Sequence, residues 1–257
     1  MGSWNAPRAH RFRKVLQRLA ANAGFHVGRM PPNRFEATED VLKALKQRAF
    51  NPQLIIDAGA NAGDWTRFAR TLFPAAECHM IEPQPACRDR LADLERRDAR
   101  VHLHPVALTL PGVKEVRMTG AGTTGASVSA QVGDGQGDDD TMVVAAASFD
   151  QLFGAVLTRS QRPLLKLDIE GHELGALDGA SVSLTSIEVI VTEVRFYDIG
   201  RSGHPVFLDV LNYLKARNFE LFDFVSLGSR RRDGRLRVGD AVLIRSDSDL
   251  VADLAWA

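Results

Sequence analysis

Short apolar runs alternate with stretches whose apolar residues recur every three or four positions, and this rhythm governs residues 51 to 224. Leu54-Ile55-Ile56 opens it as a β-branched run of the kind buried in a parallel sheet. It ends in the glycine-punctuated turn Asp57-Ala58-Gly59-Ala60-Asn61-Ala62-Gly63, after which Trp65, Phe68, Ala69 and Leu72 keep helical spacing. Cys78 to Ile81 is a second strand, closed by Glu82-Pro83, and Pro85 to Arg97 a second helix. Val101 to Leu108 is predicted as a third strand and Pro163 to Asp168 as a fourth, running into a helix whose first turn carries Glu170, His172 and Glu173. Leu174 and Leu177 face the core and Gly179 ends that helix. A fifth strand (Ile187 to Val194), a helix (Pro205 to Arg217) and closing strands at Phe219 to Phe224 and Ala241 to Ile244 complete the series. Strand alternating with helix implies an α/β fold with a mostly parallel, doubly wound sheet.

Three stretches break the rhythm. In residues 1–50, Arg8, Arg11, Arg13, Lys14 and Arg18 surround Phe12, Val15, Leu16 and Leu19 at helical spacing. This is a basic amphipathic helix, more simply one that packs on the domain than one that seeks a membrane surface. A second helix is expected from Thr38, as N-cap, to Arg48. The chain thus divides into an N-terminal helical extension (1–50) and an α/β domain (51–257). Between strands expected at Val113 to Thr119 and Thr141 to Ala147, residues 120–140 are rich in Gly, Asp, Thr and Ser. They predict a mobile segment that closes over the site when an acceptor binds. Ser229 to Arg237 holds Arg230, Arg231, Arg232, Arg235 and Arg237. It reads first as a solvated hairpin, with an anionic contact as the weaker alternative.

The chemistry gathers where strands end. A ligand in such a sheet sits over the strands' carboxyl ends, against the first helix. A dinucleotide fingerprint reads G-x-G-x-x-G, whereas this turn reads D-x-G-x-N-x-G. Asp57 would repel a phosphate and attract an ammonium or sulfonium. Glu82 is placed to accept ribose hydroxyls. A ribose acceptor without a phosphate cradle suits S-adenosylmethionine (SAM) better than NAD, with S-adenosylhomocysteine (SAH) as the product. Asp168, Glu170, His172 and Glu193 bound the space beyond. His102 and His104 share one strand face, but no third ligand stands near them in sequence, so they read as polar strand positions.

Composition narrows the function classes. In 257 residues, 45% are hydrophobic, and Lys+Arg and Asp+Glu number 32 each. Zero net charge argues against a broad grip on nucleic acid. Two cysteines make no disulfide framework, and neither an eighteen-residue apolar run nor a signal-peptide core is present. The expectation is a cytoplasmic protein without a transmembrane segment that acts on a small molecule. A homo-oligomer is compatible with the sequence.

Ile56 to Gly63 and Ile81-Glu82-Pro83 resemble the cofactor loops of the FkbM-type methyltransferases. Leu165-Lys166-Leu167-Asp168-Ile169-Glu170-Gly171-His172-Glu173-Leu174, followed by Leu177-x-Gly179-Ala180, resembles that family's K-x-D-x-E-G-x-E signature. The resemblance covers Asn51 to Phe224. It implies a Rossmann-like class I fold, a seven-stranded sheet with an antiparallel last strand, and SAM-dependent methyl transfer, commonly to hydroxyls of sugars or secondary metabolites. The cofactor residues are then Asp57, Gly59, Ala60, Asn61, Gly63, Glu82, Pro83 and Asp168. The catalytic candidates are His172, Asp168 and Glu170, with no metal ligands assigned. His172 has the intrinsic pKa suited to taking an alcohol's proton near neutrality, and Asp168, Glu170 and Glu193 are placed to orient it, to act instead, or, as the less favoured alternative, to hold a divalent metal that acidifies the hydroxyl. Methylation of a carboxylate and a non-catalytic SAM-binding role stand as alternatives. Amine methylation of a nucleobase is disfavoured, because Asp168-Ile169-Glu170-Gly171 stands where an Asn/Asp-Pro-Pro-aromatic turn would be expected.

Overall fold

The computed structural model describes residues 35–120, 122, 126–129, 141–198 and 204–253. Residues 1–37 and 38–257 form separate compact units, and the basic helix expected at residues 8–19 lies outside the described residues. The elements begin with α1 (Glu36–Gln47), β1 (Leu54–Ala58), α2 (Asp64–Leu72), β2 (Glu77–Ile81), α3 (Pro85–Arg97) and β3 (Val101–His104). Helix α1 starts before Thr38, so Thr38 is a buried residue inside the first turn and not the cap. Among the described residues, no helix is long and apolar enough to cross a membrane.

The chain then leaves the main sheet. Pro105 has no N–H to continue a ladder, so the predicted third strand splits into β3 and a separate β4 (Ala107–Leu108). β5 (Glu115–Thr119), β6 (Ser127–Ser129) and β7 (Thr141–Ala147) join β4 in a second sheet of order β4-β7-β5-β6. The expected loop is therefore partly sheet. Its own small core is Ala107, Val116, Met118 and Val144. Residues 121, 123–125 and 130–140 of the expected lid lie outside the described residues.

The α/β series resumes with α4 (Phe149–Phe153), β8 (Leu164–Leu167), α5 (Glu173–Asp178), β9 (Val189–Arg195), α6 (Phe207–Lys215), β10 (Phe219–Ser229) and β11 (Leu236–Arg245). Helix α4 opens on a capping box in which the Ser148 hydroxyl accepts from Gln151 N and Gln151 Oε1 accepts from Ser148 N. The main sheet has the order β10-β11-β9-β8-β1-β2-β3, parallel except for β11, which runs antiparallel to both neighbours. β1 is central and buried along its whole length; Ile55 and Ile56 are fully enclosed, each contributing about 1.5–3 kcal/mol. Chain order reverses around β1, with β2 on one side and β8 on the other. A crevice opens at such a switch point, over the carboxyl ends of the strands.

Candidate active site

Three short connections build the crevice. After β1 the chain turns through Gly59 (φ +81°), Asn61 (φ +47°) and Gly63 (φ +75°). A Cβ on Gly59 would overlap the carbonyl oxygen of Asp168, so only glycine lets this loop lie against the end of β8. A Cβ on Gly63 would strike Leu94 and Leu91; Gly63 therefore packs the loop on α3 and does not face the crevice. Gly59 N and Ala60 N both donate to the Ile81 carbonyl, which ties the loop to the end of β2. Ala60 also accepts from Gly63 N (2.7 Å); it acts through its backbone, and its side chain is buried.

Glu82 follows at once. It is 5% exposed, and its two oxygens accept from Asn61 N (2.8 Å) and Gln84 N (3.0 Å). Burial raises its pKa, and these two donors oppose the rise. A carboxylate has about four acceptor positions, so lone pairs on both oxygens stay open to a vicinal diol. Gly59, Asn61, Glu82, Pro83, Gln84, Glu170 and His172 line a cleft of about 520 Å³, open mouth included. Val106, Leu108, Met118, Ala126, Val128 and Ile169 supply its apolar side. The second sheet is thus a wall of the site. The donor set fits SAM: a diol acceptor, a glycine approach and an apolar wall.

Asp57 does not line the cleft. It is 1% exposed beneath the loop, accepts from Thr66 Oγ1 (2.6 Å) and lies 3.2 Å from Lys166 Nζ. Lys166 is the lone charge in a strand of leucines. Its ammonium donates to the carbonyls of Gly59 (2.7 Å) and Ala58 (3.3 Å) and stands 3.5 Å from Asp168. Burial alone would lower its pKa, but Asp57 and Asp168 outweigh burial and raise it. Lys166 pins the glycine loop, and Asp57 is the counter-charge that makes the pin tolerable.

The third connection departs from the sequence expectation. Helix α5 begins only at Glu173; Glu170 (φ +57°) and Gly171 (φ +102°) form a left-handed turn before it, and His172 is its N-cap. Glu170 and Glu173 are therefore not helical neighbours, and the expected first turn does not exist. Glycine is required at 171 twice over, by its positive φ and by the His204 ring, which occupies the space a Cβ there would need. Arg195 Nη1 donates to His204 Nδ1 (3.0 Å), so the ring carries its proton on Nε2, 3.3 Å from Ser127 Oγ. Glu173 is buried and accepts from Gly171 N, a scaffold role. His172 lines the cleft with Nε2 3.3 Å from Thr109 Oγ1, and burial followed by His204 lowers its pKa. Among the described residues no carboxylate hydrogen-bonds to it, which leaves the acids the other expected part, that of acting in its place. Gly179 ends α5 in a right-handed conformation; glycine stands there for space, since a Cβ would overlap the Thr109 carbonyl.

The acids gather elsewhere. Asp168 after β8, Glu170 in the turn and Glu193 near the end of β9 each place an oxygen within 4.8 Å of the others. That spacing would also suit a divalent cation; the chain itself supplies Arg195, 2.9 Å from Glu170 and 3.9 Å from Glu193, and Lys166 beside Asp168. Burial, then Asp168 and Glu170, push the Glu193 carboxyl up to about 8. The sequence placed all three acids around this space. It missed Arg195, Thr109, Gln84 and His204; a charge closing the apolar run of β9 was the available signal for Arg195, and nothing marked His204. His79 joins His102 and His104 on the face of β2 and β3, but the rings hydrogen-bond His104 (2.9 Å from His79) and Glu77 (2.9 Å from His102). Among the described residues they do not offer three ligand atoms to one point.

No curated protein matches the chain in sequence. Among solved structures, a putative sarcosine dimethylglycine methyltransferase from Galdieria sulphuraria aligns with a TM-score of 0.50 at 10% identity. The alignment covers 81% of this chain and 85% of that one, a likeness of fold alone. The N-methyltransferase NodS from Bradyrhizobium japonicum, in complex with SAH, gives 0.45 at 11% identity over 84% and 90%. A Burkholderia thailandensis 1,6-didemethyltoxoflavin-N1-methyltransferase, with SAH bound, gives 0.42 at 14% over 96% and 93%. The model of the methyltransferase FkbM domain matches residues 57–221, from the start of the glycine turn through the acid group and into β10. The chain belongs to the FkbM methyltransferase family and is a SAM-dependent methyltransferase, with SAH as its product.

Proposed function

We propose that the methyl group is transferred to a hydroxyl oxygen of a small molecule, a sugar or secondary metabolite. The observation that carries this reading is the convergence of Asp168, Glu170 and Glu193, with the Arg195 guanidinium beside Glu170 and Glu170 itself lining the cleft. SAM supplies a methyl group on a sulfonium, which becomes a neutral thioether as the methyl leaves. The loop residues Gly59, Ala60 and Asn61, with Glu82, Pro83 and Asp168, hold and orient that cofactor. A hydroxyl must lose its proton as it attacks, so a base within hydrogen-bond reach is required. We assign that proton to Glu193, whose high proton affinity is set by burial and by Asp168 and Glu170. Asp168 and Glu170 bound the acceptor space, and His172 fixes the acceptor from the wall, held by Thr109. Residues 51–257 carry this machinery and residues 1–50 are an extension; among the described residues, none that lines the cleft precedes Gly59.

The test is methyl transfer from labelled SAM to a panel of glycosides and hydroxylated metabolites, with the product position assigned by NMR. Glu193→Gln should lose about 10²–10⁴-fold in turnover while SAH affinity is unchanged. Label found on nitrogen, or near-normal turnover in Glu193→Gln, would remove the oxygen-acceptor reading. Loss in His172→Ala alone would move the base to the imidazole.

A further inference from the structure

The β10–β11 hairpin is long for its place in the sheet. Val238 pairs with Arg195, and Phe196 N donates to the Arg237 carbonyl (3.0 Å). Leu236 and the turn beyond it therefore project past the carboxyl end of β9, on the same edge as the cleft. At roughly 3.4 Å per residue the turn starts about 7 Å beyond Arg195. In sheet order β11 is two strands from β8, so the hairpin base stands ~10 Å to the side of Asp168.

What this turn carries is uneven in charge. Residues 229–237 hold five arginines and one aspartate. Asp233 is committed to Arg230, which it binds through both carboxylate oxygens. Arg235 lies flat on the Tyr197 ring, 3.7 Å from its centroid, and Arg230 approaches the same ring at 5.5 Å. Arg231, Arg232 and Arg237 are exposed and have no acidic partner among the described residues. A merely solvated turn does not need an aromatic platform to hold one guanidinium in place. Between this turn and the cofactor lies the acid group of Asp168, Glu170 and Glu193, so an anion is repelled at the methyl-transfer point and attracted at the hairpin.

We propose that Arg231, Arg232 and Arg237, with Arg235 braced on Tyr197, form a subsite for a phosphate-bearing end of the acceptor. The acceptor class is then a hydroxylated group, such as a glycosyl unit, joined to a phosphate or diphosphate roughly two strand spacings away, ~10 Å. The inference rests on the oxygen-acceptor reading above and refines it. The planar guanidinium fork pairs with phosphate oxygens two at a time, and several such forks side by side match a multiply charged group better than a single carboxylate. The tip residues Arg230 to Arg235 include no apolar side chain, which sets this hairpin apart from a membrane-inserting loop.

Calorimetry on the full chain saturated with SAH, using inorganic pyrophosphate as probe, tests the subsite. The parent should bind pyrophosphate, more weakly as salt is raised from 50 to 200 mM as expected of an exposed charged site. R231E/R232E should weaken it at least tenfold while SAH affinity stays within twofold. R231Q/R232Q, which removes charge without reversing it, should show the same direction. A parent that does not bind pyrophosphate, or a variant that binds as well as the parent, overturns the proposal. So does sedimentation of the parent with phosphatidylserine vesicles that millimolar pyrophosphate fails to release, which would make the hairpin a membrane contact. A parent that binds pyrophosphate but not SAH would count against the methyl-transfer reading and leave the anion subsite standing.

Discussion

The two edges of the main sheet are built from the same residue types in different proportions. At the amino edge, Arg159, Arg162 and Arg245 meet Glu188, Asp247 and Asp249 almost one for one. Arg162 takes both oxygens of Glu188 (2.7 and 2.6 Å) and reaches Asp249 (2.6 Å). Asp247 lies between Arg245 (2.9 Å) and Arg159 (2.7 Å), whose hydrogen bonds draw its pKa down to about 2. At the carboxyl edge Glu170 and Glu193 share Arg195, Asp168 stands beside them against a lysine already taken by Asp57, and Glu193 is pushed up to about 8. Matched charges keep their protons where solution chemistry would put them and serve as scaffold. Mismatched charges hold a proton that can be moved, and that is the raw material of a site.

The largest break in this comparison should come from Lys166→Met. It strands Asp57 as a buried, uncompensated carboxylate, a situation that costs about 3–5 kcal/mol, readable by urea denaturation. Glu193→Gln sharpens the contrast through pH. The folded-state pKa lies above the unfolded value of 4.5, so the native state holds the extra proton between about 4.5 and 8. Parent stability should therefore fall as pH rises through that window, by ~2–4 kcal/mol given that water still reaches part of the side chain, and Glu193→Gln should flatten the decline. Glu82→Ala should weaken SAM binding about tenfold, ~1.4 kcal/mol, by calorimetry; unchanged affinity would remove Glu82 from the cofactor site. Arg159→Ala, at the matched edge, should change stability by less than about 1 kcal/mol and turnover not at all, since its ion pair is solvent-exposed.

How much of this was legible in the sequence depends on the range of the forces involved. The strands of the main sheet were legible because burial on both faces leaves continuous apolar runs, as in β1, β8 and β9. The turn at Glu170-Gly171 was misread as helix because acids and leucines at helical spacing look alike whether or not the first turn forms. What packs against the turn is the His204 ring, thirty-three positions from Gly171 and invisible to a local pattern. β5 and β7 were visible as strands, but their partner β6 spans three residues in a segment whose glycines and aspartates mask it. Pro105 was visible, and it should have divided the third strand. The acid group could be listed from strand ends alone, whereas its separation from His172 could not, because that depends on which way a left-handed turn points a side chain.

Lys166 also makes the glycine loop readable from outside. Its amine is sealed between β1 and β8 by the carbonyls of Ala58 and Gly59, so an acylating reagent reaches it only when those strands part at their cofactor end. Exposed Lys43 reacts at once; Lys166 reacts at the rate of local opening. In a mass spectrum the ratio of the two labels is a clock for that opening, and any molecule seated against Gly59 slows the clock by the free energy with which it holds the loop shut.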